Sequence, residues 1–320
     1  MARGTAFVLG AAGSFGAATA QALIERGWRV RTLRRASGQS TGQPVHPSVE
    51  VHVGDAMQRS QVVEAARGCD VVVHGVNPPR YQGWRELALP MLGNAIAAAQ
   101  AADARLVFPA NVYVYGRDGG DRVAEDTAKR PDTVKGWIRL EMEEMIEQAS
   151  SRGMRSLMVR AGDFFGSHAS VNSWFSAAMV RPGRRAHAIT YPGDLALGHA
   201  WAYLPDLGGT VAALLEREPD LGVAAHFNFG GHWLASGDLM IDAMRRAIGR
   251  AVAVRRLPWW LLRLASPVHP LSRELLEMRY LWQRPLRLDN RKLQAFLGSE
   301  PHTPLDAAVE QTLRGLGCLA

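Results

Sequence analysis

The chain is poor in cysteine, in lysine and in long apolar runs. Cys69 and Cys318 are the only two cysteines in 320 residues. They stand far apart, so no disulfide framework is expected, and such sparse usage suits a reducing cytoplasm. No run of about 18 uncharged apolar residues occurs, and no transmembrane helix is expected. Met1-Ala-Arg-Gly4 leads straight into an apolar run at 5–9. A signal peptide is not expected, because its apolar core would be that run itself. Lysine is confined to Lys129, Lys135 and Lys292, although the formal net charge is +7. The basic residues form no Lys/Arg block and no aromatic-basic RNA motif, so nucleic-acid binding is not expected either. A Gly-x-Ser-x-Gly nucleophile elbow is absent. His226 and His232 flank glycines six residues apart and show no third ligand by spacing, so no metal is expected.

What is present is an α/β pattern. Hydrophobic residues make up 47% and charged residues 21%, ordinary for one large α/β domain with a smaller appendage. Apolar strand-like runs lie at 5–9, 28–33, 49–53, 71–74 and 106–110. Helix-like segments lie at 15–26, 58–67 and 85–102. Strands alternating with helices predict right-handed crossovers and a parallel, doubly wound sheet. A helix over 134–151 and a strand over 155–160 continue the series. Beyond 162 the pattern predicts helices at 172–180, 204–216, 236–246 (with Ser236 as cap), 259–264, 274–282 and 304–316, and a short strand at 226–229. The apolar start Pro258-Trp259-Trp260 reads as a helix buried against the domain, with a membrane or partner as the alternative. The division expected is a Rossmann nucleotide domain over 1–165 and a smaller substrate-capping part over 166–320, with elements exchanged between them.

The densest signal is Gly10-Ala-Ala-Gly13-Ser14-Phe15-Gly16, directly after the first strand and opening the first helix. Glycines there allow a tight turn and close approach of backbone to a pyrophosphate, and the helix N-terminus offers N–H groups to the phosphates. The spacing is G-x-x-G-x-x-G. Cofactor choice is made at the end of the second strand, where an acid would hold the ribose 2′-OH of NAD. Here Arg34-Arg35 stand instead, two guanidiniums able to fork onto a 2′-phosphate. The cofactor expected is NADP(H).

These residues resemble the short-chain dehydrogenase/reductases, in the extended branch of NAD-dependent epimerases and dehydratases. Besides the glycine motif, Gly54-Asp55, Asp70-Val-Val-Val-His-Gly75, Val114-Tyr-Gly116, Arg160-Ala-Gly-Asp163-Phe-Phe-Gly166, Tyr203-Leu-Pro-Asp206 and Asp289 through Lys292 fall in that family's order. The resemblance implies that Gly10, Gly13, Ser14, Phe15, Gly16, Arg34, Arg35, Asp55, Ala56, Gly75, Val76, Asn77, Pro109, Lys135 and Asp163 line the cofactor. Asp55 would contact the adenine. Counting from the same motifs, the family's Ser/Tyr/Lys triad falls on Asn111, Lys135 and Arg139, so the chain resembles the atypical members that lack it. Ala88 stands where the extended branch has a helix asparagine, and Asp163 where it has another.

Hydride transfer to a carbonyl leaves charge on oxygen, which needs a proton or hydrogen bonds. Asn111 can donate from its amide. Lys135 and Arg139 lie four apart on one helix face, where a like charge beside Lys135 and partial burial would favour proton release. The alternatives are a solvated Lys135 and an ordinary surface pair of Arg139 with Glu143 at i+4. Tyr113 is the rival donor, or it packs under the cofactor. Asp163, Asn172 and Trp174 are the expected substrate contacts, with His168, Trp201 and Tyr203 beside them. The function expected is an NADP(H)-dependent oxidoreductase on a small carbonyl or alcohol. The alternatives are a non-catalytic NADP(H) sensor and an epimerase/dehydratase-like enzyme. Partners beyond a small-molecule substrate are not expected, except a homodimer built on the helices at 85–102 and 134–151.

Overall fold

The computed structural model describes residues 3–36, 46–78, 83–167 and 173–319. The expected substrate residue Asn172, and His168 beside it, lie outside them. The first half runs β1 (Thr5–Leu9), α1 (Ser14–Glu25), β2 (Arg29–Arg34), β3 (Val49–Val53), α2 (Arg59–Ala65), β4 (Val71–His74), α3 (Trp84–Ala101), β5 (Arg105–Ala110), β6 (Arg122–Val123), α4 (Val134–Ser151) and β7 (Ser156–Arg160). The second half continues with β8 (Asp163–Phe165), β9 (Ala188–Tyr191), β10 (His199–Tyr203), α5 (Leu204–Glu216), β11 (Ala224–Asn228), β12 (His232–Leu234) and α6 (Gly237–Ile248). It ends with β13 (Ala253–Arg256), α7 (Trp259–Ala265), α8 (Pro270–Glu277), β14 (Arg287–Leu288), α9 (Arg291–Leu297) and α10 (Leu305–Gly315).

Seven strands form one sheet in the order β11-β7-β5-β4-β1-β2-β3, and each neighbouring pair is parallel. The order reverses at β1, so the crevice at the carboxyl ends of β1 and β4 is where such sheets take ligands. Alternation along β1 explains the layers. Ala6 and Val8 join the core under α1 and α5. Phe7 and Leu9 join the core under α2, α3 and α4. A strand buried on both faces reads as a continuous apolar run, which β1 and β4 do. The third core belongs mostly to residues beyond 162 and is aromatic: Phe165, Trp174, Phe175, Tyr191, Trp201, Tyr203 and Trp282.

Three differences from the sequence pattern have physical causes. The segment expected as a helix at 172–180 is a short wide turn, Phe175–Met179, closed by Val180 N–H donating to Phe175 O at 3.2 Å. The helix expected at 274–282 instead begins at Pro270, stops at Glu277, and gives way to a 3₁₀ turn, Arg279–Trp282. Tyr280, Leu281 and Trp282 are all buried; three successive buried side chains do not fit the single stripe of a surface helix. The third is a correction: α7 is not buried against the domain, and none of its residues falls in the buried class. Ser236 does stand at the N-cap of α6, but its hydroxyl makes no capping bond.

Candidate active site

The crevice begins at the glycine turn. Gly10 has φ +82°, a left-handed value that a side chain resists. A Cβ on Gly16 would collide with the Gly10 carbonyl, and one on Gly75 would lie 2.8 Å from the Leu9 carbonyl oxygen. Turn, helix and the end of β4 therefore meet backbone to backbone. Gly13 caps α1 without any side-chain bond, and the first turn, Ser14, Phe15 and Gly16 included, has no acid. The helix end is left with its positive pole toward the crevice. Such a cradle fits a pyrophosphate, because the glycine turn, the start of α1 and the end of β4 approach one another through backbone.

Arg34 and Arg35 are both exposed at the end of β2. They form no ion pair among the described residues. The Gly54 N–H donates to Arg34 O at 2.9 Å, which brings the end of β3 alongside. There the Asp55 carboxylate accepts from Met57 N–H at 2.9 Å, and the Asp55 N–H donates to Gln61 at 2.8 Å. The Ala56 carbonyl accepts from Asn94 of α3 at 2.8 Å. After β4, Gly75 and Val76 are half-buried and Asn77 is exposed.

The inner wall holds a residue that the motifs did not single out. His74 is buried at the end of β4, and neither ring nitrogen has a partner among the described residues. Burial, with the Arg139 charge nearby, drops its pKa to about 3, so the ring is neutral. It stacks on Phe108 at 5.8 Å. Arg139 lies over the same Phe108 ring at 4.9 Å and donates to Pro109 O at 2.6 Å. The expected Arg139–Glu143 surface pair is therefore corrected. Glu143 is fully buried and bound in two-pronged fashion by Arg160 at 2.9 and 2.8 Å, with Lys129 at 2.9 Å. Burial pushes the Glu143 carboxyl up, but these two cations outweigh it and hold it at about 2.

Asn111 follows β5. Its side-chain oxygen accepts from Tyr113 N–H at 3.1 Å, and its carbonyl accepts from Arg160. Tyr113 is half-buried and packs against both the aromatic core and the core under α3 and α4. Lys135 is buried, and its surroundings correct the like-charge expectation. Its ammonium donates to Glu277 at 2.6 Å and to the Glu274 carboxylate, both of α8. Its own N–H donates to Glu277 at 2.9 Å. The fold answers the cation with two carboxylates from residues about 140 positions away.

Asp163 reaches a partner that sequence spacing did not show. In β8 it accepts from His199 of β10 at 2.7 Å. The His199 ring lies flat on Trp282 at 4.0 Å and edge-on to Trp201 at 5.0 Å. Trp174 meets the same Trp282 at 5.5 Å. Asp163 and Trp174, both expected at the substrate, thus share one aromatic cluster with His199. The indole N–H groups of Trp201 and Trp282 are buried there without a partner among the described residues. Burial, with Asp163 and Asp238 nearby, raises the Tyr191 hydroxyl well above its usual range. Tyr203 is committed elsewhere, donating to Gln311 at 2.7 Å.

The spacing that left His232 without further ligands is also amended. Asp206, His232 and His302 bring one ligand atom each within 4.8 Å of one another. Both Asp206 oxygens already accept from Thr303, each at 2.7 Å, so the group carries no metal assignment.

A doubly wound parallel sheet with an uncapped glycine turn after its first strand defines the class. The chain belongs to the NAD dependent epimerase/dehydratase family, whose model matches residues 6–230. Among solved structures it is similar to a UDP-galactose 4-epimerase, at 19% identity, covering 98% of each chain, with a TM-score of 0.74. It is also similar to the Bordetella bronchiseptica enzyme WbmH in complex with NAD+, at 18% identity, covering 98% of this chain and 99% of that one, with a TM-score of 0.69. A third is UDP-glucose 4-epimerase from Bifidobacterium longum in complex with NAD+ and UDP, at 15% identity, covering 97% of each, with a TM-score of 0.71. No curated protein matches the chain significantly.

Proposed function

We propose that the protein is a cytoplasmic NADP(H)-dependent oxidoreductase acting on a small carbonyl compound or the matching alcohol. The observation that carries the reading is the pairing of the open glycine cradle with the exposed Arg34-Arg35 at the end of β2. A bound nicotinamide dinucleotide supplies or accepts the hydride. The chain's own residues do the rest. The α1 N-terminus receives the pyrophosphate, and the two guanidiniums take the 2′-phosphate. Asn111 offers its amide N–H to the substrate oxygen. The Asp163–His199 pair moves the proton, the carboxylate fixing the ring while the imidazole exchanges it, as in other carboxylate–histidine pairs. Trp174, Trp201 and Trp282 give the substrate apolar walls and two indole donors in search of an acceptor.

Cofactor preference tests the first half. Arg34→Ala together with Arg35→Ala is expected to weaken NADPH binding by roughly 10–100-fold, the size of one or two charge-assisted hydrogen bonds. NADH binding should not change. A fluorescence titration with both dinucleotides reads the result, and equal losses for the two would sink the 2′-phosphate assignment.

Sugar-nucleotide chemistry is the second reading. It is favoured by the similar solved structures, two of which are epimerases named for UDP-sugars. Turnover of a UDP-sugar without net consumption of cofactor would select it. A homodimer through α3 and α4 goes with either reading, since Val134 and Trp137 are exposed on α4. Sedimentation of Trp137→Glu against the parent protein tests it, the variant being expected as a monomer.

A further inference from the structure

The positive charge of this chain is concentrated in one segment. Residues 250–291 hold nine arginines against three acidic residues, a net of +6 beside +7 for the whole chain. All three acids come after Arg273. Glu274 and Glu277 turn onto Lys135, and Asp289 onto Arg291 and Arg122. Between 250 and 273 there are five arginines and no acid.

The same segment carries a run of exposed apolar side chains, Trp260, Leu261, Leu264 and Val268. Trp260 is 64% exposed, Leu264 71% and Val268, in the turn after α7, 87%. Trp260, Leu261 and Leu264 stand at i, i+1 and i+4, which places them on one face of α7. Trp259 faces the other way and anchors the helix. Its indole N–H donates to Pro192 O at 2.7 Å, and its ring meets Trp174 at 5.9 Å. The Lys135 ion pairs tie α8 to α4. The hairpin is thus fixed at its base, and its outward face is apolar. Along the same stretch of chain, Arg255 and Arg256 before α7, Arg263 within it and Arg273 in α8 are all exposed.

From this geometry we infer that the α7–α8 hairpin is a docking surface for an anionic lipid bilayer, on which the protein sits peripherally. An interfacial tryptophan, short aliphatic wedges and a rim of guanidiniums are the chemistry such a surface selects. No helix among the described residues is long and apolar enough to cross a membrane, so attachment is by the face and not by a span. A second copy of the chain fits the face poorly. A two-fold contact would bring the exposed arginines of both copies to one interface, like charge to like. The inference departs from the expectation that the protein has no membrane partner, and it starts from the exposure of α7. The inference is independent of the reaction proposed above.

Flotation of the full chain with vesicles tests it. The parent protein is expected to float with vesicles of phosphatidylcholine and phosphatidylglycerol in equal parts, and not with phosphatidylcholine alone. Its tryptophan emission should shift to the blue on the mixed vesicles. Trp260→Ser with Leu264→Ser, and separately Arg255→Ala with Arg256→Ala, should each weaken vesicle binding by roughly tenfold or more. Circular dichroism is expected to leave both variants folded, since every changed residue is exposed. Failure of the parent to float overturns the inference, as does flotation that the Trp260/Leu264 change leaves intact. A dimer in light scattering that this change returns to monomer would make the face an interface between copies, and would also overturn it.

Discussion

Glu143→Ala is expected to destabilise the fold by roughly 3–5 kcal/mol, the cost of stranding a buried charge. Arg160 is fully buried at the end of β7, and Glu143 is its carboxylate partner. Without that carboxylate the guanidinium keeps, among the described residues, the Asn111 carbonyl, beside the Tyr115 ring at 5.1 Å. Urea denaturation of the variant and parent reads the loss directly. Glu143→Leu with Arg160→Met should recover part of it, because removing both charges removes the desolvation cost as well. Recovery will be incomplete where Arg160 positions Asn111. The pH dependence has a definite sign. The folded carboxyl sits at about 2 against an ordinary 4.5. Its contribution is fully present above about 4.5 and is lost as pH falls toward 2, on the order of 3 kcal/mol across that window. The parent should therefore lose stability between those values, and Glu143→Ala should be flatter there. A parent curve that is flat from pH 5 to about pH 2 would show that the pair adds nothing.

The contrast between Glu143 and its neighbours shows what a linear pattern can carry. β1, β3, β4, α4 and α5 match their expected bounds, because each is set by a local period: two-sided burial in the strands, one stripe in the helices. The glycine turn was legible for the same reason, since strand, turn and helix are contiguous. Glu143 read as a surface residue because only its i−4 neighbour, Arg139, was visible. Its true partner, Arg160, comes from a strand 17 residues on, and burial decides the pairing. Lys135 is the extreme case, with carboxylates 139 and 142 positions away. His199 left no local signal. It lies 36 residues from Asp163, and only the alignment of β8 with β10, Trp201 opposite Asp163, brings the two within a hydrogen bond. The error at α7 is of another kind. Apolar composition was equated with burial, although Trp259 turns to the domain while Trp260, Leu261 and Leu264 share the opposite, exposed face.

His199→Asn is expected to slow single turnover of bound NADPH against a panel of aldehydes, ketones and enones by roughly 10²–10⁴-fold, the usual weight of a positioned acid. NADPH affinity should be unchanged, because the ring packs on Trp282 and Trp201, the proposed substrate walls. Asp163→Asn should slow turnover as well, since the amide cannot fix the imidazole as the carboxylate does. The comparison with the other two candidate donors decides the assignment. The Lys135 ammonium is already held by Glu274 and Glu277, so releasing a proton to substrate would break two ion pairs at once. Lys135→Ala should therefore act mainly by loosening α8, seen as lower stability with turnover largely retained. Tyr113→Phe keeps the ring that packs against both cores and should keep most of the rate. If turnover instead survives in His199→Asn and stops in Tyr113→Phe or Lys135→Ala, the proton comes from the α4 side of the crevice and the Asp163–His199 assignment is wrong. If NADPH binds tightly and no member of the panel is reduced, the oxidoreductase reading itself gives way to a dinucleotide-binding protein whose output lies in what it touches.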